Sequence, residues 1–127
     1  VVVTQDEQDH WVYPPLRYFE KMLKDLPLET RKIISFVPYH FNSQPKEGTL
    51  NAAKLQECKK RVSRIAQNSN NITVIDFMVH SPITLKDEHY WDPLHFSVET
   101  ADVVMGLLEE ANKGITAKKG EYQILLP

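Results

Sequence analysis

The sequence predicts an α/β fold with three layers and a mainly parallel sheet. Two observations carry that expectation. Val1–Thr4, Ile33–Val37 and Ile72–Val79 are near-continuous apolar runs, the pattern of strands covered on both faces rather than one. Each run is followed by a segment with apolar residues at helical spacing. The order strand, helix, strand, helix, strand, helix is that of βαβ units laid on a parallel sheet. At 127 residues the chain suits a single α/β domain, or the C-terminal portion of one.

The elements follow in order. Val1–Thr4 reads as a first strand that runs out into the polar cluster Gln5-Asp6-Glu7-Gln8-Asp9. Pro14-Pro15 marks a turn and a helix start. Leu16, Phe19, Met22, Leu23 and Leu26 recur at helical spacing until Pro27 stops the pattern. Ile33–Val37 is the second strand, closed by Pro38, and the turn chemistry of Tyr39–Gly48 makes a loop. A second helix is expected from Leu50 to Gln67, with Leu55, Cys58, Val62, Ile65 and Ala66 inward. Lys54, Lys59, Lys60, Arg61 and Arg64 then form solvated faces. Asn68-Ser69-Asn70-Asn71 turns the chain into the third strand. A long loop, His80–Phe96, leads to a third helix, Ser97–Asn112. Ser97 is its natural N-cap, and Ala101, Val104, Met105, Leu108 and Ala111 form its inner face. Tyr122–Leu126 suits a terminal strand.

Composition excludes several classes of function. The net charge is −2 and the basic residues are scattered, which argues against nucleic acid as a partner. No apolar run approaches the roughly 20 residues of a membrane span. The single Cys58 excludes an internal disulfide, suits a packed thiol better than a reactive one, and leaves the compartment open. The opening Val1-Val2-Val3-Thr4 lacks an initiator Met, and the sheet is narrow. Both features point to a piece of a longer protein.

In open parallel sheets, ligands bind beyond the C-terminal ends of the strands. That rule gathers His40, His80, His89 and His95 toward one rim. Asp92 and His95 form the sharpest pair among them. Pro93 biases Asp92 away from helical dihedrals, and a three-residue turn brings its carboxylate back to the imidazole Nδ1. A carboxylate there holds one tautomer and stabilises the imidazolium when His95 accepts a proton. The same spacing suits an Asp N-cap, a Pro at the first helical position and a His that only packs. A metal site built from His40, His80, His89 and His95 is a second possibility, although the spacing matches no established metal motif. Trp11, Tyr13, Tyr39, Tyr90, Trp91 and Phe96 supply a third, a binding or assembly surface. Asn71-Ile72-Thr73 also matches a glycosylation acceptor. Of the serines, Ser97 suits a helix cap better than a nucleophile, Ser35 lies inside a strand, and Ser81 precedes Pro82 without a glycine elbow.

The apolar strand ending at Pro38, the Ile72–Asp76 strand, the Asp92-Pro93-Leu94-His95 turn and the amphipathic helix after it resemble the C-terminal part of an SGNH (GDSL-type) hydrolase. The resemblance spans about three-quarters of the chain. It implies a flavodoxin-like domain that cleaves or transfers an ester-linked acyl group without a cofactor, on a small-molecule or carbohydrate ester. It makes His95 the general base and Asp92 its orienting partner. The family's Gly-Asp-Ser nucleophile segment is absent here. Thr4-Gln5-Asp6-Glu7 stands where the family has an oxyanion-binding Asn, leaving Gln5 as a substitute donor and His40 as a further candidate contact. The serine is then expected upstream, in the same protein.

Overall fold

The computed structural model describes residues 2–127. The fold is α/β, with four α-helices and a small mixed sheet among these residues. It divides into two compact units: the residues up to Arg31 together with Pro45–Asn71, and Lys32–Gln44 together with Ile72–Pro127.

The first unit is helical. The expected first strand is absent among the described residues: Val2 and Val3 have no regular structure, and α1 (Gln5–Asp9) begins where the strand was expected to end. Val1 lies outside the described residues. Thr4 caps α1, accepting from Glu7 N–H, while the Glu7 carboxylate accepts from Thr4 N–H. This reciprocal capping box satisfies two otherwise orphaned donors, so local hydrogen bonding prevails over the β-propensity of the valines. Helix α2 (Pro15–Asp25) starts on the proline pair and buries Leu23. Helix α3 (Leu50–Gln67) has Thr49 as its N-cap, accepting from Ala52 N–H, and contacts α2. Val62 and Ala66 are buried as expected. Glu57 and Lys59 are buried too, so the α3 face expected to be wholly solvated is not.

The second unit holds the sheet, in the order β1 (Lys32–Phe36), β2 (Ile72–Asp76), β5 (Gln123–Leu126). Strand β2 is central and buried along its whole length, as its continuous apolar run requires. Strands β1 and β2 are parallel, with Ile34 opposite Val74, whereas β5 is antiparallel to β2. The expected mainly parallel sheet is therefore mixed, a common arrangement when an antiparallel edge strand joins parallel ones. Strand direction leaves no mark in residue periodicity. Asn71, with φ 59, turns the chain into β2 in the left-handed region that asparagine tolerates.

Helix α4 (Val98–Asn112) is capped by Ser97, whose Oγ accepts from Thr100 N–H. It packs Val104, Leu107, Leu108 and Ala111 against Ile75, Phe77 and Tyr122. Leu107 takes the place expected of Met105, which is exposed. The Phe77 and Tyr122 rings lie 5.5 Å apart, and the Tyr122 hydroxyl donates to Ile115 O at 2.6 Å. The expected loop from His80 to Phe96 contains a small hairpin, β3 (Tyr90–Asp92) with β4 (His95–Phe96).

Candidate active site

The site is assembled in the second unit from the chain that leaves the C-terminal ends of β1 and β2. The β1 exit, Pro38–Gln44, includes a single helical turn at Phe41–Ser43. Gln44 Nε2 donates to Tyr39 O within this exit and to Val79 O in the β2 exit, while Phe41 N–H donates to Thr84 O. Ser81 Oγ accepts from the Ile83 and Thr84 N–H groups, and Thr84 Oγ1 donates to Val79 O. The two loops are thus stitched into one platform, on which the hairpin stands.

Asp92, Pro93, Leu94 and His95 form the hairpin turn. Neither Pro93 nor Leu94 has positive φ, so the turn is not one of the primed types whose twist matches paired strands. The hairpin is accordingly short: Tyr90 pairs with Phe96 and Asp92 with His95, with an irregularity between. Asp92 holds the turn from inside. Its Oδ1 accepts from Leu94 N–H at 2.9 Å and His95 N–H at 3.0 Å. The same carboxylate faces His95 Nδ1, at 2.8 Å from Oδ1 and 2.7 Å from Oδ2.

The Leu94 N–H first, and the His95 ring beside it, hold the Asp92 carboxyl below its usual range. The pair is open to solvent, with side-chain exposures of 53% for Asp92 and 70% for His95, and that openness leaves room for a reacting partner. With Nδ1–H directed at the carboxylate, Nε2 carries the ring's lone pair. Among the described residues Nε2 makes no hydrogen bond. A histidine in this state can take a proton at Nε2 while the carboxylate steadies the resulting charge.

The remaining candidate residues fall elsewhere. His40 is buried; its Nδ1 accepts from Asn42 N–H at 3.1 Å and its Nε2–H donates to Asp87 at 2.7 Å. Both ring nitrogens are therefore engaged, and its oxyanion role has no free donor behind it. His89 Nδ1 bonds Ile83 O at 2.8 Å, and His80 sets its ring edge-on to Phe41, 6.0 Å away. Among the described residues no three His, Cys, Asp or Glu side chains converge into a group that could hold a metal ion. Gln5 belongs to the first unit, where its Nε2 donates to Asp9 at 2.8 Å. Trp11 and Tyr13 also belong there, under the Lys54 ammonium and the Arg61 guanidinium respectively.

No serine or cysteine bonds His95 among the described residues. Ser97 Oγ serves the α4 cap and Ser81 Oγ the platform. Asn71, of the Asn71-Ile72-Thr73 stretch that matches a glycosylation motif, donates its amide to Glu29 O, and Thr73 is buried in β2. Asp87 as the partner of His40 carried no signal in the sequence, since the two are 47 residues apart. Tyr90 was visible only as one aromatic among several. No helix among the described residues is long and apolar enough to cross a membrane. Comparison with known proteins finds no matching family model, no matching curated relative and no matching solved structure.

Proposed function

We propose that the Asp92–His95 turn is the base half of a serine acyl-transfer site of the SGNH type, acting on a small-molecule or carbohydrate ester. One observation carries the proposal: a carboxylate fixed by two backbone N–H groups faces Nδ1 at 2.7 Å on an exposed His95 ring whose Nε2 has no partner among the described residues. On this reading the second unit is part of a three-layer, flavodoxin-like domain. A serine from an upstream segment of the same protein supplies the nucleophile. His95 Nε2 accepts the serine Oγ proton as Oγ bonds the ester carbonyl carbon. It then returns that proton to the leaving alkoxide as the carbon–oxygen bond breaks. Water, deprotonated in the same way, releases the acyl group and regenerates the serine. Backbone N–H groups near the serine would bind the oxyanion, and no cofactor enters the scheme.

A serine-directed fluorophosphonate tests the proposal on the full-length protein. The wild type is expected to be labelled at one serine, and His95→Ala to lose that labelling with the fold intact. Full labelling of His95→Ala would assign the base elsewhere. An upstream sequence without a Gly-Asp-Ser-like segment after an apolar strand would remove the hydrolase reading.

A further inference from the structure

A hairpin of two residue pairs does not hold itself in water, yet the Asp92–His95 turn depends on one. Its support comes from the β1 exit. The Tyr90 hydroxyl donates to Pro38 O at 2.6 Å. His40 N–H donates to Pro93 O, at the tip of the turn, at 3.1 Å. The buried His40 ring donates to Asp87, just ahead of the hairpin, and stands edge-on to the Tyr90 ring with centroids 5.1 Å apart. Ser97 N–H closes the hairpin by donating to His89 O at 2.8 Å. Burial pushes the Tyr90 phenol up to about 12, so its hydroxyl remains a donor at any ordinary pH.

We infer that Tyr90 is a positioning residue for His95, braced by the His40–Asp87 pair. Neither group touches the reacting atoms. Tyr90 anchors the first strand of the hairpin to the β1 exit, His40 anchors its approach and its tip, and together they set the turn in which Asp92 selects the Nδ1–H tautomer of His95. The inference rests on the reading of this turn as a base pair, and it names what makes a solvent-exposed pair geometrically definite. Exposed ion pairs in long side chains are otherwise worth little, and a catalytic group displaced by about 1 Å can lose about 100-fold in rate.

The test is the ring-nitrogen NMR shifts of His95 in the full-length protein, at a pH where the ring is neutral. The wild type is expected to show a distinct Nδ1–H tautomer. Tyr90→Phe should draw the two nitrogen shifts together, toward those of free imidazole. Asp87→Ala, at a side chain 95% exposed, should move them the same way by less. Trp91→Ala, on the same strand but exposed, should leave them unchanged. Wild-type shifts in both Tyr90→Phe and Asp87→Ala would overturn the inference, and if Tyr90→Phe does not fold, Asp87→Ala decides alone. Fluorophosphonate labelling separates this inference from the function it rests on. A tautomer that responds as expected in a protein that never labels supports the clamp and removes the hydrolase reading. Labelling that slows about tenfold or more in Tyr90→Phe supports both.

Discussion

In each unit a carboxylate is held below its usual range, Glu57 in the first and Asp92 in the second, and the two are built in opposite ways. In the first unit Glu57 is buried on α3. It accepts from Gln8 Nε2 at 2.5 Å and Arg64 Nη2 at 3.0 Å, with Arg61 Nε at 3.6 Å. The Gln8 hydrogen bond is the largest influence on its carboxyl, opposed by burial and aided by the two guanidiniums. Arg61 in turn donates to Trp11 O and Gln8 O and lies over the Tyr13 ring. Every group in that network is engaged, and its product is structure: it ties α1 and the segment after it to α3. In the second unit Asp92 is exposed, its turn is fixed by backbone donors, and its histidine keeps one nitrogen unengaged among the described residues. A saturated buried carboxylate stabilises. On the proposed reading, an exposed one that orients a half-free imidazole serves proton transfer.

The contrast predicts which substitutions affect folding and which affect chemistry. The largest expected effect is on chemistry. Asp92→Asn keeps an oxygen for the Leu94 and His95 N–H groups but removes the charge behind His95. Serine labelling should fall by about 100- to 10,000-fold, while the urea midpoint stays that of the wild type. If stability fell and labelling held, the roles of the two carboxylates would be exchanged. On the stability side, Glu57→Ala should cost about 2–3 kcal/mol, because it strips partners from Gln8, Arg61 and Arg64 at a buried position. Urea unfolding would measure that loss, and a change near zero would show that the network only decorates the surface.

A smaller effect concerns pH. Glu57 ionises more readily folded than unfolded, so its contribution is complete above the unfolded value of about 4.3 and disappears as pH falls through the folded one. Removing the first cause, with Gln8→Ala, should raise the folded value. Acid unfolding would then begin at higher pH than in the wild type, and an unmoved acid midpoint would deny Gln8 that role. The smallest effect is expected at Ser97→Ala, which removes the α4 cap at a cost of about 1 kcal/mol in thermal unfolding. Because Ser97 lies two residues from His95, unchanged labelling in that variant would also separate the cap from the site.

Much of the helical architecture was legible in the residues. The bounds of α3 and the Ser97 cap of α4 follow from apolar spacing and capping chemistry, and the Asp92–His95 contact follows from a proline turn of three residues. Other features were hidden for physical reasons. The α1 helix did have a signal, since Thr4-Gln5-Asp6-Glu7 is a capping box, but it competed with the β-propensity of the valines before it. The hairpin lacked the Asn-Gly or Asp-Gly mark of a favoured two-residue loop, because the Asp92 side chain holds the turn instead, through the Leu94 and His95 N–H groups. The antiparallel direction of β5 and the burial of Lys59 depend on tertiary partners. So does the His40–Asp87 pair, whose members approach only once β1 and β2 lie side by side.

The central claim, that His95 works as a base against a serine, is tested most directly by the pH dependence of fluorophosphonate labelling in the full-length protein. The account predicts a labelling rate that rises through a single ionisation, at the same pH where NMR shows the His95 ring losing its proton. A rate that passes through the His95 titration without responding would contradict it.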